Sequence, residues 1–177
     1  MRLIVTVGMP GSGKEEFLTA VKELGHQSIR MGDVVREFYT ERNLEDNSLS
    51  ISQFADIERK RHGFDIWARR TVEKISELTL MIDGCRSMDE IEVYRKVTGD
   101  VRIIGILASP KTRYKRLVAR ARDDAPKDIY EFQTRDRREI NWGLAEALVL
   151  ADHVIVNESS LGDFKDNVEK TIKEVLR

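Results

Sequence analysis

Gly8-Met9-Pro10-Gly11-Ser12-Gly13-Lys14 follows directly on the apolar run Leu3-Ile4-Val5-Thr6-Val7. Five residues rich in β-branched side chains read as a buried strand. Lys14 opens a stretch with Phe17, Leu18, Val21 and Leu24 on one helical face, and Gly25 closes it. The glycines therefore lie between a strand and a helix, which is the setting a phosphate-binding loop requires. Backbone curled around phosphates must point its N–H groups inward, and a Cβ at several of these positions would block the turn or the close approach. The helix N-terminus adds partial positive charge and Lys14 a full one.

The usual pattern continues Gly-Lys-Ser/Thr, the hydroxyl serving as a magnesium ligand, whereas Glu15 and Glu16 follow here. Either the metal is held from elsewhere or Glu15 takes part in holding it. The loop resembles that of adenylate kinases, which reads G-x-P-G-S-G-K, includes the proline at the place of Pro10, and likewise lacks the hydroxyl.

The chain has 177 residues and a formal net charge of −1, with 34% charged residues and a single cysteine, Cys85. That length suits one domain, 1–177, with a substantial core. One cysteine excludes an internal disulfide framework and points to a reducing, cytoplasmic setting. Residues 1–7 are too short for a signal peptide, and no apolar run approaches ~18 residues, so neither export nor a membrane span is expected. Near-neutral charge argues against a dedicated nucleic-acid binder. The charge is nevertheless uneven, with ten Lys or Arg against five Asp or Glu over 111–138.

Past the first helix, Gln27–Met31 reads as a short strand, and Gly32-Asp33 as a turn into a helix carrying Val34, Val35 and Phe38. Residues 43–48 are polar and loop-like. Ser50-Ile51-Ser52-Gln53 is a capping box that starts a helix with Ile51, Phe54 and Ile57 inward. Asp65 caps another through Trp67, Val72, Ile75 and Leu78. Leu80-Met81-Ile82 forms a strand that delivers Asp83 at its carboxyl end. Ser87–Glu90 is a second capping box, before Ile91, Tyr94 and Val97. Val101–Leu107 gives the longest strand signal, Ser109-Pro110 begins a helix, and residues 123–128 break the pattern. Ile129–Leu150 returns to helical spacing. His153–Val156 is a fifth strand, and Leu161–Leu176 a last helix.

Short apolar strands alternating with helices predict an α/β fold with a parallel sheet covered on both faces, whose ligands sit at the carboxyl ends of the strands. The expected architecture is a three-layer P-loop NTPase fold with a five-stranded parallel sheet and a short lid. Phosphoryl transfer needs two substrates held in line, with cations around the moving group. The donor grip is Gly8 to Lys14. Asp83 is the candidate magnesium carboxylate, because it ends a strand in the Walker-B manner. Asp33 is a candidate for holding magnesium through water or for accepting a proton from a hydroxyl acceptor. His26, His62 and His153 are scattered without ligand spacing. Cys85, Trp67 and Trp142 read as core, and Arg59, Arg61 and Arg69 as a solvated helix face.

Further resemblances add roles. Ile29-Arg30-Met31-Gly32-Asp33-Val34-Val35-Arg36 resembles the nucleoside-monophosphate segment S-T-G-D-L-L-R of adenylate kinases, matching at Gly32, Asp33 and Arg36. This implies that Arg36 contacts an acceptor phosphate. Asp83-Gly84-Cys85-Arg86 resembles their D-G-F-P-R with one residue missing, which makes Arg86 a second candidate for the acceptor. Arg116-Leu117-Val118-Ala119-Arg120 resembles the R-I-V-G-R that enters their lid, implying Arg116 over the adenine and Arg120 on the phosphates. Arg135 and Arg138 extend that basic stretch. Ala151–Leu161 resembles the A-D-x-V-I-x-N-x-G-S-L of dephospho-coenzyme-A kinases, which implies that Asn157 borders the donor adenine. The chain is identified as a member of an archaeal family of adenylate-kinase-related P-loop kinases. The implied activity is transfer of a phosphoryl group from ATP, with Mg2+, to a small acceptor, AMP first. An acceptor-binding insert is expected at about 33–78 and a lid at about 120–138. Two other readings are a dephospho-coenzyme-A-like acceptor and a nucleotide-binding switch without efficient transfer.

Overall fold

A computed structural model describes residues 2–42, 49–76, 79–120 and 125–177. The expected strands form in sequence as β1 (Arg2–Val7), β2 (Gln27–Arg30), β3 (Thr79–Asp83), β4 (Asp100–Leu107) and β5 (His153–Val156). They build one parallel sheet in the order β2-β3-β1-β4-β5. Strand β1 is central, and the glycine-rich loop that follows it leaves the sheet between the carboxyl ends of β3 and β4.

Alternation along the strands sorts the core into two layers. Leu3, Val5, Val7, Ile82, Val101 and Ile103 face one side. There they meet α2 (Met31–Glu41), α3 (Ile51–His62), α4 (Ile66–Val72), α5 (Met88–Val97) and α8 (Leu144–Val149) through Met31, Phe54, Trp67, Tyr94 and Leu144. Ile4, Met81, Ile104, Ile106 and Ile155 face the other side. These pack on α1 (Lys14–Glu23) and α9 (Leu161–Val175) through Phe17, Val21, Phe164, Val168 and Ile172. The α/β fold with a five-stranded parallel sheet, covered on both faces, is thus the one expected. No helix among the described residues is long and apolar enough to cross a membrane.

Several local expectations change. Helix α2 starts at Met31, immediately after β2, so Gly32 and Asp33 lie in its first turn and Arg30 is the N-cap. Asp33 neither ends the strand nor caps the helix. In α3 the capping box of Ser50 and Gln53 is present, but Ile51 is exposed and the buried face is Phe54, Ala55, Glu58 and Arg59. Helix α4 ends at Val72, before Ile75. At α5 only half of the expected box forms. Ser87 accepts from the Glu90 N–H, while the Glu90 carboxylate turns instead to the N–H of Arg86 at 2.6 Å. The single helical stretch expected over 129–150 is two helices, α7 (Ile129–Asn141) and α8, broken at Gly143. Gly143 has a φ of 103°, and a Cβ there would press on Ser87, so the turn needs glycine. The expected loop at 43–48, Leu78, and the start of the pattern break at 123–124 lie outside the described residues.

Candidate functional site

The loop after β1 closes with a bond from the Ser12 N–H to the Met9 carbonyl at 3.0 Å. Gly13 then caps α1 in the left-handed region, at φ 109°. A Cβ on Gly13 would collide with the side-chain amide of Asn157. Asn157 itself follows β5, is buried, and donates from Nδ2 to the Ser12 carbonyl at 2.9 Å. Its Oδ1 accepts from Arg116 Nη2 at 3.2 Å, so Asn157 ties β5, the loop and α6 (Pro110–Ala119) together. Ser12 Oγ and Arg116 Nη1 are buried here with no hydrogen-bond partner among the described residues.

Lys14 folds back over the loop and donates to the carbonyls of Gly8 and Met9. Burial pulls its ammonium below the usual lysine value, a trend that Asp83 and Glu139 oppose and Arg86 and Arg135 reinforce. Asp83 stands opposite Thr6 in the β1–β3 register, and its Oδ1 accepts the Thr6 hydroxyl at 2.7 Å. Glu15, in the first turn of α1, lies 3.7 Å from Arg120, which caps the end of α6.

On the β2 side, Asp33 and Arg36 form an ion pair one turn apart on α2, both largely exposed. Gly84 sits close to the N–H of Gly32 and to the Arg86 guanidinium, so the β3–α5 loop and the start of α2 share one corner of the rim. Arg86 Nε donates to Glu139 of α7 at 2.8 Å, and Nη1 to the Gly84 carbonyl at 2.9 Å. Burial would lower its pKa, but Glu139 and Glu90 outweigh that and raise it, so it stays charged. Arg135 acts electrostatically on Lys14 and Glu139. Arg138 is exposed and acts on Asp56 of α3. The structure thus gathers Lys14, Asp83, Arg86 and Arg135 around one centre, with Arg116, Arg120 and Asn157 along the loop's other flank. Asp33 and Arg36 stand at the α2 edge, and Arg138 points away. The expected lid, 120–138, includes 121–124, which lie outside the described residues.

Helix starts along the rim are of two kinds. Among the described helices of ten residues or more, α3, α5, α6, α7 and α9 are each capped by a Ser or Asp side chain. Helices α1 and α2 have no side-chain cap, so their first N–H groups face the rim without an oxygen from the chain's own side chains.

Comparison with known proteins fixes the relationship. A UPF0200 protein of Thermoplasma volcanium is 40% identical over 172 residues, 96% of each chain. The chain belongs to the UPF0200 family. A UPF0200 protein of Saccharolobus solfataricus is 37% identical over 181 residues, covering all of this chain and 95% of that one. The model of a family described as an AAA domain matches residues 7–133 of this UPF0200 chain. Among solved structures, a gluconokinase from Sinorhizobium meliloti superposes with a TM-score of 0.66 over 98% of this chain and 93% of its own, at 12% identity. TT1252 from Thermus thermophilus gives 0.65 over 98% and 97%, at 16% identity. At those identities the likeness is one of fold, that of the P-loop kinases.

Four residues that sequence reasoning passed over stand in or behind the site of this UPF0200 protein. Arg113 is buried and makes a bidentate pair with Asp136 of α7 at 2.8 and 2.5 Å, while also donating to the Pro10 carbonyl at 3.2 Å. It fastens α7 to the loop. Arg59, read as a surface cation, is instead buried, bonded to Glu90 at 3.0 Å and stacked 4.6 Å over Trp142. Glu139 is buried against Arg86. Arg30 is opposite Asp83 in the β2–β3 register, partly buried, with no ion pair among the described residues. Asp152 and Glu158, part of the C-terminal motif, serve the fold. Asp152 accepts the Ile103 N–H at 2.7 Å, and Glu158 accepts Ser109 N–H and the Thr112 hydroxyl at the start of α6.

Proposed function

We propose that this protein is an ATP-dependent phosphotransferase that moves the γ-phosphoryl group of ATP to a small anionic acceptor held beside α2, with AMP as the leading acceptor. The observation that carries the proposal is the pair of uncapped helix starts on one rim, α1 for the donor phosphates and α2 for the acceptor. Gly8, Met9, Pro10, Gly11, Ser12 and Gly13 wrap the donor phosphates with backbone N–H groups. Lys14 leaves the Gly8 and Met9 carbonyls to bind them, and Ser12 Oγ and Arg116 Nη1, without a hydrogen-bond partner among the described residues, gain anionic or base partners. Asn157 and Arg116 border the adenine.

Asp83 fits a magnesium ion. It is a hard oxygen donor with one oxygen fixed by Thr6, and Glu15, which stands against Arg120 in the first turn of α1, is the candidate second carboxylate. The ion would neutralise donor phosphate charge. Arg120, at the end of α6, and Arg135, on α7, supply cations where charge builds during transfer, while Arg138, farther along α7, acts on Asp56. Gly32, Asp33, Arg36 and Arg86 receive the acceptor, and Arg30 adds a cation beside Asp83.

One observation favours a second reading. Arg36 is engaged by Asp33 rather than left open for a phosphate, and a hydroxyl acceptor, as on a dephospho-coenzyme-A-like molecule, would need Asp33 to leave that pair and act as base. Thermal shift separates the two. A ligand at ~100 times its dissociation constant stabilises by about 2.7 kcal/mol, roughly 5–10 °C for a chain of this size. AMP should produce such a shift, Arg36→Ala should abolish it while the ATP shift survives, and Asp33→Asn should lower turnover more than AMP affinity. Response to dephospho-coenzyme A but not AMP, with Asp33→Asn inactive, establishes the second reading. ATP stabilisation without acceptor-dependent ATP consumption would make the protein a switch.

A further inference from the structure

We infer that Glu139 is the positioning residue for Arg86, fixing from the lid-side helix α7 the guanidinium that meets the acceptor. The inference rests on the kinase reading above. Three contacts hold Arg86. Nε donates to Glu139 Oε2 at 2.8 Å, Nη1 to the Gly84 carbonyl at 2.9 Å, and the guanidinium lies over the Trp142 ring at 5.6 Å. Its backbone N–H is held by Glu90 at 2.6 Å, and Glu90 in turn by the buried Arg59. Nη2 makes no hydrogen bond to the described residues and remains for an anion. A guanidinium pinned on one edge and open on the other presents a preorganised donor, which a freely rotating arginine does not.

Trp142 completes the arrangement. Its indole N–H donates to Asp56 of α3 at 3.0 Å, and Arg59 of the same helix also lies over its ring. One buried cluster therefore joins α3, the β3–α5 loop and α7. Glu139 is the carboxylate in it that also acts on Lys14. This gives its removal opposite effects on the two substrates. Arg86 loses its anchor, so the acceptor arm weakens. Lys14 loses a neighbouring negative charge, so donor phosphates are repelled less. Damage to folding alone would weaken both.

The test uses the full chain with Glu139→Ala and Glu139→Gln, the latter keeping shape and a hydrogen-bond acceptor. Calorimetric titration with Mg-ADP, steady-state kinetics with AMP, and Trp142 emission are read on each. Glu139→Ala should raise the KM for AMP on the order of tenfold or more, with ADP affinity equal or higher. Glu139→Gln should fall between this variant and wild type for AMP, again without loss of ADP affinity. Trp142 emission should change in Glu139→Ala, and the change should vanish when Arg86→Met is already present. Parallel loss of ADP and AMP binding in Glu139→Gln, an unchanged KM for AMP, or unchanged Trp142 emission would overturn the inference. If wild type turns over no AMP, the emission change still supports the positioning role and only the acceptor reading falls.

Discussion

Lys14 is the residue on which both structure and chemistry converge. Its ammonium caps the loop's own carbonyls and is poorly solvated, so anionic phosphates are better partners than what it has. Lys14→Ala should remove ATP-dependent turnover and leave the melting temperature within a few degrees, since the side chain supports no core contact. Gly13→Ala should be worse for the fold. A side chain at φ 109° that also meets Asn157 costs on the order of 1–3 kcal/mol from the backbone alone, measurable by urea denaturation. At this scale the sequence revealed residues whose chemistry is local. Gly8 to Lys14 are contiguous, and Asp83 is marked by the strand it ends. Arg86 and Glu139 are 53 positions apart, and Arg59 and Glu90 are 31 apart. A charged residue on a helix looks like a solvated one until its partner is brought to it. Arg59 and Glu139 were therefore hidden, and so was the bidentate role of Arg113.

Helices carry the polar sides of the site, and their ends were legible wherever a Ser or Asp side chain supplies a cap. Ser50 and Ser109 each begin the helix expected of them. Misreadings arose where tertiary contacts override the local signal. Glu90 leaves its capping box because Arg59 and the Arg86 N–H offer stronger charge-assisted partners. Gly143 divides the helical stretch expected over 129–150 because α8 must turn onto the sheet beside Ser87. The Arg113–Asp136 pair is the bolt between α6 and α7, with both side chains largely buried. Asp136→Ala leaves that guanidinium without its partner and should cost about 3 kcal/mol or more, again by urea denaturation. Arg120→Ala, at the end of α6, should lower kcat on the order of 10²-fold with a smaller change in KM, if it meets charge that develops during transfer. A change confined to KM would make it a ground-state contact.

Across the whole molecule, strand number and parallel direction followed from the alternation of apolar runs with helices, but the order β2-β3-β1-β4-β5 did not. The central strands β1 and β4 are apolar on both faces, while β2 and β5 are short and largely exposed, so no pattern within a strand names its neighbours. The buried carboxylates set how the fold responds to acid. Burial would raise the pKa of Glu139 and Glu58, yet Arg86 for the first, and Arg70 and Arg42 for the second, bring both below the ordinary value. Such groups stabilise the fold above the unfolded value and lose that contribution as pH falls through the folded one. The stability difference between wild type and Glu139→Gln should therefore be full at pH 7. It should shrink as pH falls past 4.5, the ordinary glutamate value, and be gone below the folded one, as followed by urea denaturation across that range. The claim that the two uncapped helix starts hold a donor and an acceptor is tested most directly by phosphorus NMR of Mg-ATP with AMP, in wild type and Lys14→Ala. The account predicts that the γ-phosphate signal falls in wild type as a new β-phosphate signal of ADP rises, dependent on AMP and absent in Lys14→Ala. Equal rates in the two proteins, or release of inorganic phosphate at a rate indifferent to AMP, would contradict it.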